Sequence, residues 1–489
     1  MCRPIRHAAA AGPPHERERG LHLPILPFSF TLGDVTSPDR DEEPRKPKRG
    51  ETIQGRGLVR SARMASLPLG HAGRAALGFG KRIGGKPAEA VTAEVQQRTA
   101  EQVFRVLGEL KGGAMKVGQA MSVFEAAFPD DVAGPYRATL TRLQEAAPPM
   151  PAEVVHQVLA EELGGDWPDR FDSFDDRPAA AASIGQVHRA VARDGRPVAV
   201  KIQYPGAGEA LTADINQMMR LGRVFASWVP GLEVKPLLEE LRKSALQELD
   251  YLAESQSQRR FAVAFEGDDD FLIPHVLAAS PRVLLSEWVD GTPLSAVIAS
   301  GTRAERDHAG LLYQRFLLCS PARAELLHAD PHPGNFRISA DGRLAVLDFG
   351  AVADLPGGMP REVGRLMRIA LSGDAHTVML GLQREGFLRP HITLDEDRML
   401  AYLLPFIEPA RTEEFHYSRE WLRSLFGQVS DPRNPEFSMG LKFNLPPEYA
   451  LIHRVWLGAT GVTCQLDAHV KVRDEIERWV PGFTDEWEQ

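Results

Sequence analysis

The sequence predicts an α+β protein of two lobes preceded by a helical extension, and three observations predict it. Two runs of alternating apolar residues meet at Asp194-Gly195, a shorter pair meets at Asp341-Gly342, and stretches of helical spacing precede, separate and follow them. At 489 residues the chain exceeds one ordinary domain, and an apolar share of 43% can fill more than one core. The expected division is an arm over 1–63, a helical extension over 64–150, a smaller mixed lobe over 151–290 and a helical lobe over 291–489.

The arm is rich in Ala, Gly, Pro and Arg, which predicts disorder, and it lacks the charged, apolar, small-residue order of a secretory signal. Met64 opens more structured text and is an alternative start of translation. From Glu94 to Phe124, apolar residues including Val103, Val106, Leu107, Leu110, Met115 and Met121 recur near helical spacing and break at Gly112 and Gly113, which predicts two helices meeting at a glycine joint. Pro148, Pro149 and Pro151 mark a boundary, and a helix is expected over Ala152–Leu163.

Strand-like text begins after Pro178. The runs from Ile184 to Ala192 and from Pro197 to Tyr204 flank Asp194-Gly195, whose residues take positive φ at low cost, so a hairpin is expected. Helices are expected over Ala210–Ser227 and Lys235–Phe265, then strands over Phe271–Leu277 and Arg282–Trp288. Beyond Gly291 the pattern is helical except for a second hairpin, Phe336–Ile338 with Leu344–Leu347, turning at Asp341 and Gly342.

A net charge of −9 argues against a dedicated nucleic-acid binder, although Arg45 to Arg82 is strongly basic. Within it Arg56, Arg60, Arg63, Arg74, Lys81 and Arg82 alternate with apolar residues, a pattern that fits an anionic membrane surface and equally a solvated basic tail. The 3 cysteines, Cys2, Cys319 and Cys464, lie far apart with no metal-ligand spacing, so a reducing, cytoplasmic setting is expected. No uncharged apolar run reaches about 18 residues. Attachment to a membrane would therefore be peripheral.

The chemistry concentrates between His328 and Gly350, HADPHPGNFRISADGRLAVLDFG. Phosphoryl transfer needs a divalent cation against the polyphosphate, and Mg²⁺ prefers carboxylate and amide oxygens. Asp330 precedes Asn335 at the offset of the protein-kinase loop H-R-D-x-x-x-x-N, and Asp348 opens Asp-Phe-Gly. Asp-Phe-Gly alone is an ordinary strand ending, but the hairpin between the two motifs returns Asp348 to the cleft that Asn335 enters. His328 is expected to orient the loop through a backbone hydrogen bond. Lys201, in Val-Ala-Val-Lys on the third strand, supplies a cation, and in an apolar strand it needs a carboxylate partner. Glu248, Asp250 and Glu254 are the candidates, with Asp250 and Glu254 four apart on one face of the expected helix. The fold these motifs predict is bilobal and protein-kinase-like.

Three further stretches carry a resemblance to the UbiB family of atypical kinases, also called AarF or ADCK proteins, over roughly 95–480. Lys116-Val-Gly118-Gln119 resembles the family's KxGQ motif, the run Ala179 to Ser183 its alanine-rich loop, and Glu248-Leu-Asp250 its ExD motif. The resemblance implies ATP or ADP with Mg²⁺ as cofactors. It assigns Ala180, Ala181, Ala182, Ser183, Glu287 and Val289 to nucleotide binding, together with Lys201 paired to Glu254. It places Asp330 at the catalytic-loop position and Asn335 and Asp348 on the metal. Lys116, Gly118 and Gln119 would reach across the cleft toward Glu248 and Asp250 and exclude a peptide.

The residues agree with that exclusion. Alanine restricts the φ values that let a glycine loop close over phosphates, and Ala329 replaces the arginine that would pair with an activation-loop phosphate. No Ala-Pro-Glu follows Gly350. The family resemblance implies ATP hydrolysis or small-molecule phosphotransfer in support of isoprenoid-quinone or membrane-lipid metabolism, with a lipid or quinone precursor as a ligand. A nucleotide-switched scaffold and an antibiotic-type phosphotransferase stand as alternatives.

Overall fold

The computed structural model describes residues 149–182, 184–209, 211–212, 246–247, 249–389, 392, 394–430, 439–440 and 442–484. The expected arm, nearly all of the helical extension with Lys116, Gly118 and Gln119, most of the helix expected from Ala210, and the residues Ser183 and Glu248 lie outside them.

Helix α1 (Ala152–Leu163) buries Val155, Val158 and Leu159, the i, i+3, i+4 stripe of an amphipathic helix. That stripe packs on Val198, Val200 and Ile202 of a five-stranded antiparallel sheet. Its first three strands are β1 (Phe171–Ala182), β2 (Gly185–Ala192) and β3 (Pro197–Gln203), and two strands further along the chain complete it. The first hairpin is β2–β3, with register Val191↔Pro197 and Gly195 at φ 83° in its turn. Strand β1 starts at Phe171, ahead of the expected Pro178, because Phe171 and Phe174 anchor it against Trp167.

Helix α2 spans Tyr251–Ala264, so the continuous helix expected over Lys235–Phe265 is not formed. Asp250, at φ −100° and ψ 85°, is its N-cap and accepts a hydrogen bond from the Ala253 N–H at 2.9 Å. The shared helical face expected for Asp250 and Glu254 is therefore corrected: only Glu254 is inside the helix. The strand expected over Phe271–Leu277 is likewise two, β4 (Phe271–Leu272) and β5 (Val276–Ala279). Pro274 between them has no N–H for a ladder, and its carbonyl accepts from Gln258. β5 pairs with β6 (Val283–Glu287), whereas β4 leaves that sheet to run parallel to a later strand at Leu344–Val346.

Beyond the linker come β7 (Thr292–Pro293), α3 (Leu294–Ser300) and α4 (Arg303–Ala324), the last started by a capping box of Thr302 and Glu305. Strands β8 (Leu326–His328), β9 (Phe336–Ile338), β10 (Leu344–Val346) and β11 (Val352–Asp354) follow. The second hairpin, β9–β10, joins β4 and β7 in a four-stranded sheet. Helices α5 (Arg361–Ser372), α6 (Ala375–Arg384) and α7 (Glu396–Ile407) enclose a satellite core around Val378, Leu388 and Met399. Strand β12 (Phe415–His416), α8 (Arg419–Ser430), α9 (Pro447–Leu466), β13 (His469–Val470) and α10 (Val472–Trp479) complete the lobe. The pairs β8–β11 and β12–β13 correct the expectation of a single hairpin past Gly291; two- and three-residue ladders are too short to leave a period in the sequence. Among the described residues no helix is long and apolar enough to cross a membrane.

Candidate active site

Strand β3 buries Val198, Val200 and Ile202 on one face, so Lys201 emerges on the other, toward α2. Its Nζ lies 2.6 Å from Glu254 Oε1 and 3.0 Å from Asp348 Oδ2. Of the carboxylates considered for Lys201, the structure pairs Glu254 with it; Asp250 is an exposed cap. The second partner, Asp348, was not foreseen in the sequence. The Glu254 side chain is 2% exposed, and burial raises its pKa from 4.5 to about 7, with Lys201 pulling it down and Asp348 pushing it up. Burial opposes the charge on Lys201, but the carboxylates of Asp348 and Glu254 outweigh it and hold the ammonium well above its ordinary range. Burial likewise acts against ionised Asp348, yet Lys201 and the Gly350 N–H keep that carboxyl below its usual value.

Helix α2 serves the site twice. Glu254 in its first turn holds Lys201, and Phe261, two turns on along the same face, packs at 5.1 Å against the ring of Phe349. The fully buried His328 also touches Phe349, and its Nε2 meets the Asp348 carbonyl at 2.7 Å, which is the backbone hydrogen bond expected of it.

The loop after β8 is fixed from below. Tyr313 of α4 donates its hydroxyl to the Pro331 carbonyl at 2.5 Å, and burial, with the nearby charge of Asp330, keeps that phenol protonated. Asp330 Oδ1 accepts from the His332 N–H at 3.3 Å, and Asn335 donates Nδ2 to the Asp330 carbonyl at 3.2 Å. Asp330 is near enough to Asp348 for its charge to resist ionisation there. Where Ala329 stands in place of an arginine, Arg454 of α9 brings a guanidinium to the Ala329 carbonyl at 3.3 Å. No local signal in the sequence links Arg454 or Tyr313 to this loop.

Asn335 and Asp348 flank the open end of hairpin β9–β10, where the Leu347 N–H donates to the Asn335 carbonyl at 2.9 Å. A carbonyl only accepts, so the bond to Asp330 turns the Asn335 amide nitrogen inward and leaves Oδ1 as an outward donor to a cation. With the Asp348 carboxylate it makes a pair of hard oxygen ligands, which fits Mg²⁺ shared with a polyphosphate. Asn335 and Asp348 would hold that ion, which would neutralise phosphate charge.

The remaining expected nucleotide residues are dispersed around the cleft. Ala180, Ala181 and Ala182 are in β1, paired with Val187, Gln186 and Gly185, so the alanine run is strand through Ala182. Glu287 ends β6, where its carboxylate accepts from the His275 N–H at 2.9 Å and its own N–H donates to the His275 carbonyl at 3.0 Å. Val289 is half-buried in the linker that follows.

Residues 142–380 match the ABC1 atypical kinase-like domain. The chain is similar to the atypical kinase COQ8B, mitochondrial, of Danio rerio, at 31% identity over 58% of this chain and 46% of that protein. It is also similar to the atypical kinase coq-8, mitochondrial, of Caenorhabditis elegans, at 29% identity over 76% of this chain and 50% of that protein. It thus spans about half the length of these relatives. Among solved structures, the Rv3197–erythromycin complex from Mycobacterium tuberculosis is 43% identical, with a TM-score of 0.63 over 82% of this chain and 100% of that one. The order of the motifs, the bilobal kinase-like α+β fold and these matches agree: the chain belongs to the UbiB family of atypical kinases.

Proposed function

We propose that this protein binds Mg²⁺-ATP and hydrolyses it, or transfers its γ-phosphoryl group to a small molecule, in support of isoprenoid-quinone or membrane-lipid metabolism. The observation that carries the reading is the contact of Lys201 with both Glu254 and Asp348, beside the oxygen pair of Asn335 and Asp348. Asp348 and Asn335 would hold the cation, and Lys201, kept in place by Glu254, would offer its ammonium to the phosphates. Asp330 accepts the proton of the attacking hydroxyl or water, and Tyr313 and Asn335 hold its loop in place.

A small acceptor is favoured over a peptide by two features. After Gly350 the chain pairs β11 with β8 and enters α5 at Arg361, leaving a short segment where a peptide platform would be. A solved relative, Rv3197, is in complex with erythromycin, a small organic ligand. The amides of Ala180, Ala181 and Ala182 belong to the β1–β2 ladder, which supports slow turnover, because they are less free than a glycine loop to close over phosphates.

Calorimetric titration with Mg²⁺-ATP tests the reading. Asp348→Asn is expected to weaken binding by at least about tenfold and to remove its Mg²⁺ dependence; equal binding sinks the metal assignment. Turnover of ATP raised by liposomes or phenolic quinone precursors favours the lipid assignment. Phosphorylation of erythromycin instead would replace it with an antibiotic-type transferase.

A further inference from the structure

We infer that Arg337 is the floor of the nucleotide pocket and holds the base and ribose end of a purine nucleotide. The inference rests on the nucleotide reading above and adds a residue that no motif in the sequence assigns.

Strand β9 alternates. Phe336 is fully buried, with its ring 5.0 Å from Tyr313 and 5.5 Å from His328. Arg337, next along the strand, therefore stands on the opposite face. It is half-buried there, and its Nη1 donates to the Gly291 carbonyl at 3.2 Å. Gly291 closes the linker from β6 to β7, in which Val289 lies. A Cβ at Gly291 would sit 2.6 Å from the Ile338 carbonyl oxygen, so only glycine lets the linker press this closely onto β9. Arg337 is thus two residues beyond Asn335 and directly against the linker. A ligand reaching from the oxygens of Asn335 and Asp348 to the linker has to cross its guanidinium.

The charge balance points the same way. Among the described residues no carboxylate pairs with Arg337, and the nearest acid in the linker, Asp290, accepts from the Trp288 indole at 2.8 Å. Its cross-strand neighbours are Pro293 and Ala345. A half-buried guanidinium held by one neutral carbonyl retains donors and a planar face. The face stacks under a purine through cation–π attraction, and the donors suit ribose hydroxyl oxygens. Those donors would also suit a phosphate, so what assigns them to the base and ribose end is the place of Arg337 against the linker at Gly291.

The test compares two ligands on the full chain. Mg²⁺-ATP and Mg²⁺-tripolyphosphate, which has no base or sugar, are titrated into the wild type, Arg337→Gln and Arg337→Lys, with melting temperatures recorded for each. Arg337→Gln is expected to weaken ATP about tenfold and leave tripolyphosphate within about twofold, and Arg337→Lys, which keeps charge but loses the plane, to fall between. Unchanged ATP affinity overturns the inference, as does a parallel loss for both ligands, which would place Arg337 on the phosphates or in the fold. A wild type that binds no Mg²⁺-ATP instead overturns the nucleotide reading itself.

Discussion

Hairpins β2–β3 and β9–β10 turn on the same dipeptide, Asp-Gly, with the glycines at φ 83° and 89°, yet they carry their functional groups differently. β2–β3 presents Lys201 from the middle of a strand, and its partners Glu254 and Asp348 are 53 and 147 residues away. β9–β10 carries Asn335 and Asp348 just outside its two strands, where the ladder itself brings them together. The first turn is open to solvent; the second is tied to α4 by His308, whose Nε2 meets the Gly342 carbonyl at 2.7 Å. A group on the flank of a hairpin is placed by local chain geometry. A group inside a strand is placed only when distant chain folds onto it.

The strongest way to break this contrast is Lys201→Met. It leaves Glu254 buried beside Asp348 with no cation, and stability is expected to fall by about 3 kcal/mol, read by urea denaturation. Adding Glu254→Gln should recover part of that loss, because the double variant no longer buries an unpaired charge. Equal stability of Lys201→Met and wild type would show that the pair contributes nothing to the fold.

A smaller effect follows from the raised pKa of Glu254, about 7 in the folded protein against 4.5 ordinarily. Lowering the pH from 8 to 6 protonates Glu254 and leaves Lys201 to Asp348, where it competes with the cation. Mg²⁺-ATP affinity is expected to fall about threefold over that interval in the wild type and to be flat in Glu254→Gln. The linkage has the corresponding sign: the folded state takes up this proton first, so the contribution of Glu254 to stability is full below pH 4.5 and is lost as pH rises through about 7.

A further pair of variants sharpens the comparison of the turns. Gly195→Ala and Gly342→Ala each place a Cβ at positive φ and should each cost about 1 kcal/mol. Only Gly342→Ala should also weaken Mg²⁺-ATP binding, because its hairpin sets Asn335 against Asp348. Parallel losses of nucleotide affinity in both variants would erase the distinction.

These contrasts also explain what the sequence made legible. Both hairpins, their turn residues and the spacing of Asp330, Asn335 and Asp348 were readable, since period-2 alternation and Asp-Gly turns are local signals. The bounds of α2 were not, because helical propensity continues through a segment that the Asp250 cap interrupts. The break at Pro274 was equally hidden: proline marks an interruption but not the sheet each half joins.

The amino-acid sequence by itself determined the two Asp-Gly hairpins, the catalytic-loop and Asp-Phe-Gly spacing and the need of Lys201 for a carboxylate, all consequences of short-range sterics and of the cost of burying charge. Only the tertiary structure decided that Glu254 and Asp348 share Lys201, that Tyr313 and Arg454 support the loop, and that Arg337 lies against the linker at Gly291. Those contacts join residues far apart in the chain. Their energies depend on distance and burial in three dimensions, which no local pattern encodes.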